Sequence, residues 1–137
     1  MNVALEAEVV AVRLVAGPLE AERPRLTAGE GASVVFEGIV RPREAARSID
    51  ALQYEVYEPM TQQQLERLAR ETVGRHGLLA LEMEHSVGRV PVGAVSFRLR
   101  VAAAHRASAL AATGEFIDRM KAEVPLWKVP EWSVEAP

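Results

Sequence analysis

"GAVSFRLRV", residues 93–101, alternates apolar and polar side chains along nearly its whole length. Alternation with period two belongs to a strand that buries one face. It predicts Val95, Phe97, Leu99 and Val101 facing a core. Ser96, Arg98 and Arg100 then face outward, as a solvated sheet face or a subunit contact. Further β-rich segments occur at 7–15, 32–40, 49–57 and 78–87. In 49–57, Leu52, Tyr54 and Val56 share one side. In 78–87, His85 shares its side with Leu81 and Met83, so it reads as a core or interface histidine rather than a ligand. Tyr54, Tyr57 and Met60 read as packing or partner surface.

Only two stretches carry helical periodicity. Thr61 with Gln64 reads as a capping box. Leu65, Leu68, Ala69, Thr72 and Val73 form the apolar stripe behind it, and Gly77 is a stop signal. A second helix is expected over 106–123, burying Leu110, Thr113, Ile117, Met120 and Val124. Residues 17–31 read as a polar connection with room for a helical turn, and 41–48 as a mobile surface loop. The order β-β-β-α-β-β-α plus an extended tail predicts an α+β fold, mainly antiparallel sheet with two principal helices. A chain of 137 residues, 49% of them hydrophobic, fits one domain over 1–137.

The net charge of −3 gives no general attraction to nucleic acid or a membrane surface, so an anion site must be a local cluster. No apolar run approaches the ~20 residues that span a bilayer. The opening residues lack the basic and apolar regions of a secretory signal, so the expected location is cytoplasmic. There is no cysteine. That excludes disulfides, thiolate zinc sites and cysteine nucleophiles. Any sulfur the protein handles must arrive on another molecule. His76, His85 and His105 have no metal-binding spacing, and neither a metal nor another cofactor is expected.

Five basic positions stand out. His105 and Arg106 precede and open the second helix, where free N–H groups and the helix dipole favour an anion. The plainer alternative is a helix cap and a solvated first-turn arginine. Arg41 leads from a strand into a basic loop, as a second anion clamp or a solvated charge. Lys121 and Lys128 lie seven residues apart, but Pro125 between them prevents one continuous helix. Lys121 could simply complement the helix dipole, and Lys128 could simply cover Trp127.

Together these residues resemble the large, catalytic subunit of molybdopterin synthase. The resemblance is carried by "GASVVFEGIVR" (31–41), "LQYEVYEPMTQQQL" (52–65), "EHSVGRVPVG" (84–93), "AAAHRASAL" (102–110) and "FIDRMKAEVPLWK" (116–128). It implies an α/β-hammerhead-like fold and a sulfurtransferase that forms a homodimer within a heterotetramer. A small ubiquitin-like sulfur-carrier subunit would deliver sulfur on its C-terminal Gly-Gly thiocarboxylate. Cyclic pyranopterin monophosphate would be the substrate and the dithiolene molybdopterin the product. By matching position, the resemblance implies substrate binding by Ile39, Val40, Arg41, His105, Arg106, Lys121, Lys128, Val129 and Pro130. Lys121 and Lys128 would be catalytic, Lys121 as acid, base or nucleophile and Lys128 orienting the substrate. Two departures stand out: Ser86 replaces the family's arginine after His85, and Val129-Pro130 replaces a basic–acidic pair. The altered tail is expected to run extended over 129–134, with Trp132 packed against the protein body or the dimer partner and holding Lys128 toward Lys121. Two other readings stay open: a carrier-binding scaffold without turnover, and an unrelated phosphate-ester enzyme.

Overall fold

The computed structural model describes residues 9–21 and 29–134. Its elements are β1 (Val10–Ala16), β2 (Ala32–Ile39), β3 (Arg43–Glu44), β4 (Arg47–Val56), α1 (Met60–His76), β5 (Ala80–Pro91), β6 (Val95–Ala103), α2 (Arg106–Glu123) and β7 (Leu126–Trp132). The strands form one sheet in the order β2-β6-β5-β4-β3, with β1 also on β5 and β7 also on β4. Only β1 with β5 is parallel; the other pairings are antiparallel. This is the expected two-helix, mainly antiparallel fold. Residues 7 and 8 of the first expected strand, and residues 22–28 of the connection expected over 17–31, lie outside the described residues.

β5 changes neighbour along its length. Residues 81–87 pair with β1, and Gly88 to Pro91 pair with β4. Gly88 sits at the changeover with φ +89°, a conformation that costs glycine little and other residues more.

The main core packs Leu65 and Leu68 of α1 and Ala109, Ala112, Phe116 and Met120 of α2 on Leu81, Met83, Phe97, Leu99 and Val101 of the sheet. Phe116 is fully buried, so truncating it to alanine would cost about 3–5 kcal/mol. Leu110, expected on this face, is instead 59% exposed. The buried stripe of α2 is Ala109, Ala112, Thr113, Phe116 and Met120. Leu110 lies about 100° around the helix from Ala109. A second, smaller cluster joins Val40, Ile49, Leu52 and Val90.

Arg98 and Arg100 do not form a solvated face. Arg100 is buried, bonded to Glu82 at 3.0 Å, to Ser33 at 3.1 Å and to Glu30. Arg98 reaches Glu37 at 2.8 Å and Glu84 at 3.4 Å, and Arg13 lies 3.7 Å from Glu84. Pairing of this kind offsets part of the cost of taking these charges out of water.

Two local readings also change. Helix α1 begins one residue before Thr61, with Pro59 at the N-cap and no side-chain cap there. Thr61 is fully buried inside the first turn, where its hydroxyl accepts from the Tyr57 N–H at 2.8 Å and donates to the Pro125 carbonyl at 2.7 Å. The Glu58 carboxylate instead accepts from the Gln62 N–H at 3.0 Å. The expected loop over 41–48 contains a tight hairpin: β3 pairs with the start of β4 around Ala45 (φ 49°) and Ala46 (φ 63°). Positive φ at both central residues is the two-residue turn whose twist matches the flanking strands.

Candidate functional site

A cavity of about 580 Å³ opens where the two hydrophobic clusters meet. Its floor is buried: Val40 and Leu52 come from the small cluster, and Phe97 and Met120 from the large one. Phe36, Tyr54, Leu126 and Trp127 form walls. Arg41, Lys121 and Lys128 stand exposed at the rim, and Ile39 and Glu44 complete it.

The local sequence explains how the cations converge. Lys121 occupies the last turn of α2, one residue after the buried Met120. The helix stops at Val124, which is extended (φ −95°, ψ 133°), and Pro125 cannot continue it. Thr61 holds the Pro125 carbonyl, and β7 then runs back antiparallel along β4 with Lys128 opposite Tyr54. Arg41 follows Val40, whose N–H donates to Ala94 at 3.1 Å and whose carbonyl accepts from Gly93 at 2.9 Å. The tail is extended through Trp132 as expected, and the Arg47 guanidinium lies 4.2 Å from the centre of the Trp132 ring. Lys128, however, is drawn to Glu44, with Nζ 3.0 Å from Oε1. Both groups are partly exposed, so the pair itself adds little to stability.

The floor holds two polar groups that the sequence reading placed elsewhere. Ser96, expected outward, is buried and lines the cavity. Gly38 pairs with Phe97 and Ile39 with Val95, so Ser96 is the extra residue of a β-bulge. A bulge re-aims a side chain in this way. Ser96 Oγ lies 3.0 Å from the Tyr54 hydroxyl and 3.5 Å from the Gly38 carbonyl. His85 is buried too, but it borders the cavity rather than disappearing into the core. Its ring meets Tyr54 edge-on at 4.9 Å and Phe97 at 5.7 Å. Burial pushes its pKa below the usual 6.5, partly offset by the bond from Nδ1 to the Ser86 carbonyl at 2.8 Å.

Of the nine residues expected at a substrate site, the cavity gathers Ile39, Val40, Arg41, Lys121 and Lys128. His105 and Arg106 are exposed at the opposite end of α2. Arg106 starts the helix fifteen residues before Lys121, about 22 Å along its axis. One chain therefore does not bring that pair to this cavity. Val129 and Pro130 continue β7, opposite Gln53 and Leu52, and do not line it. Glu44, Tyr54, His85 and Ser96 are the polar residues missed. Tyr54 and His85 carried a signal, each sharing a strand side with apolar residues.

Among the described residues no group of three His, Asp or Glu side chains could hold a metal ion. Nor is any helix among them long and apolar enough to cross a membrane.

The model of the MoaE protein family matches residues 14–123. Molybdopterin synthase catalytic subunits are similar in sequence, from Oryza sativa subsp. indica (39% identical over 98 residues) and Coccidioides immitis (34% over 107). These alignments cover 72% and 78% of this chain but 51% and 55% of the relatives, so the chain spans about half their length. A crystal structure of molybdopterin synthase from Staphylococcus aureus superposes with a TM-score of 0.80 at 28% identity, covering 89% of this chain and 91% of the other. A complex of subunits 1 and 2 of molybdopterin-converting factor from Helicobacter pylori superposes at 0.70 and 26%, covering 90% of each chain.

Proposed function

Because this chain belongs to the MoaE protein family, we propose that it is the catalytic subunit of a molybdopterin synthase. In this reading it moves sulfur from the thiocarboxylated Gly-Gly end of a small carrier subunit onto cyclic pyranopterin monophosphate, giving the dithiolene. The observation that carries the reading is the convergence of Arg41, Lys121 and Lys128 from three separate elements on one cavity with aromatic walls. The cations suit a phosphate, and the aromatic surface suits a flat heterocycle. The missing cysteine is consistent with sulfur that arrives on a partner. The two-subunit complex of the Helicobacter pylori relative supports such a partner.

Lys121 is the proposed acid, base or nucleophile where the thiocarboxylate meets the pterin carbons, and Lys128 orients the substrate. His105 and Arg106 join the site through a second copy of the chain. β2 starts beside the first turn of α2 and ends at the cavity, and its open side exposes Val35, Phe36 and Ile39. A two-fold axis near the middle of β2 would bring the partner's helix start to this chain's cavity.

The test mixes the purified protein with thiocarboxylated carrier and cyclic pyranopterin monophosphate and follows the dithiolene product by mass. Product from the wild type, none from a folded Lys121→Ala variant, supports the reading. Carrier binding without product would make the protein a scaffold. Turnover of a phosphate ester without any carrier would make it a different enzyme.

A further inference from the structure

The cavity is chemically divided between rim and floor. At the rim, Arg41, Lys121 and Lys128 are hydrogen-bond donors and cations. At the floor, the His85 proton is already committed. A carbonyl can only accept, so the 2.8 Å bond to Ser86 places the His85 proton on Nδ1. Nε2 is then a bare acceptor, and among the described residues the ring makes no other hydrogen bond. The Tyr54 hydroxyl lies 3.0 Å from Ser96 Oγ, and either can donate to the other; Ser96 Oγ also lies 3.5 Å from the Gly38 carbonyl. The Tyr54 side chain lines the same cavity.

We propose that His85 is a substrate-orienting residue, whose Nε2 accepts a hydrogen bond from a ring or amino N–H of the ligand's heterocycle while the ligand's anionic group stays at the rim. The ligand class is an anion joined to a flat heterocycle that carries N–H donors along one edge. Applied to the function proposed above, on which this orientation rests, the pterin's nitrogen-rich edge points inward to His85. The phosphate points outward to Arg41 and Lys128, and the carbons that accept sulfur lie between, within reach of Lys121. The lowered pKa of His85 agrees, because an imidazolium could not accept at Nε2.

Calorimetry would compare cyclic pyranopterin monophosphate, guanosine monophosphate, ribose 5-phosphate and inorganic phosphate on the wild type, His85→Leu and His85→Gln. Leucine removes the acceptor, and glutamine restores an oxygen near the position of Nε2. The expected result is about a tenfold loss of pterin affinity in His85→Leu, with inorganic phosphate unaffected and most of the loss recovered in His85→Gln. In steady-state assays the loss should fall on KM rather than kcat. Wild-type protein labelled with ¹⁵N-histidine gives a measurement that needs no variant: the Nε2 resonance of His85 should move when the pterin is added and stay put with inorganic phosphate. Unchanged affinity in a folded His85→Leu protein, or an unmoved resonance, overturns the proposal. Binding of the nucleotide but not the pterin, still dependent on His85, would keep the floor assignment and discard the synthase reading. No preference for either heterocycle over ribose 5-phosphate would discard both.

Discussion

The Thr61 hydroxyl donates to the Pro125 carbonyl at 2.7 Å, across 64 residues of sequence. This bond fastens the first turn of α1 to the point where α2 gives way to β7. The relative placement of Lys121 and Lys128 depends on that point.

Thr61→Val keeps the shape of the side chain but strips the bond. Leaving one side of a buried hydrogen bond unmet costs about 1–3 kcal/mol. Urea unfolding should show that loss. Sulfur transfer should fall further than stability predicts, because Pro125 is freed while the protein stays folded. Equal, small losses in both assays would mean that Pro125 and β7 place Lys128 without help.

Gly31→Ala tests the other end of α2. An added Cβ would lie 2.5 Å from the Ala104 carbonyl oxygen, a backbone atom that cannot move alone. Destabilisation of about 1–3 kcal/mol is expected, in the range of overpacking. The displaced segment leads directly into His105 and Arg106. Binding of inorganic phosphate at the Arg41–Lys128 rim of an isolated chain should survive, whereas turnover, which in the proposed dimer draws on a second copy, should not. A melting curve unchanged from wild type would show that the close approach relaxes at no cost.

Glu44→Gln should leave stability within about 1 kcal/mol, since an exposed ion pair is worth no more than that. It removes a carboxylate that competes with an incoming anion for Lys128. Affinity for inorganic phosphate should therefore rise several-fold, most clearly at low salt. A fall in affinity would instead give Glu44 the role of holding Lys128 in position.

His85 sets a pH signature. Its folded pKa lies below the ordinary 6.5, so below about pH 6.5 the unfolded chain takes up a proton that the folded chain resists. Stability rises with pH wherever the unfolded state binds more protons. It should be flat just above pH 6.5 and decline below it, until the folded His85 is itself protonated. Glu115, held below its usual 4.5 by a hydrogen bond with His76, and Glu131, held down by Arg89, also lose stability as pH falls. Their contributions are intact above about pH 4.5 and are lost below it. Denaturant unfolding between pH 5 and 7.5 should thus show a slope that His85→Phe removes; a slope retained in that variant would assign it to another group.

The strands were legible because period-two alternation is a local property, and Pro125 and Gly77 marked true helix ends for equally local reasons. What failed was non-local. Arg100 looked solvated because its partners, Glu82 and Glu30, are far away in sequence. Leu110 failed by helical phase, one residue off the buried stripe. The separation of Arg106 from Lys121 was within reach of the sequence, since a continuous helix over 106–123 already forces them apart by its length. Likeness to a family supplied both positions but not their separation within one chain. Glu44 could be placed only once two alanines were known to close a hairpin.

The bulge at Ser96 adds one residue to β6 without advancing the pairing: Gly38 keeps Phe97 and Ile39 keeps Val95, while Ser96 between them has no partner on β2. Deleting it would leave the ladder in register, with Phe97, Leu99 and Val101 still in the apolar cluster under the helices. What would go is the hydroxyl that meets Tyr54 at the cavity floor. Ser96 is thus a residue that the sheet does not count and the cavity does.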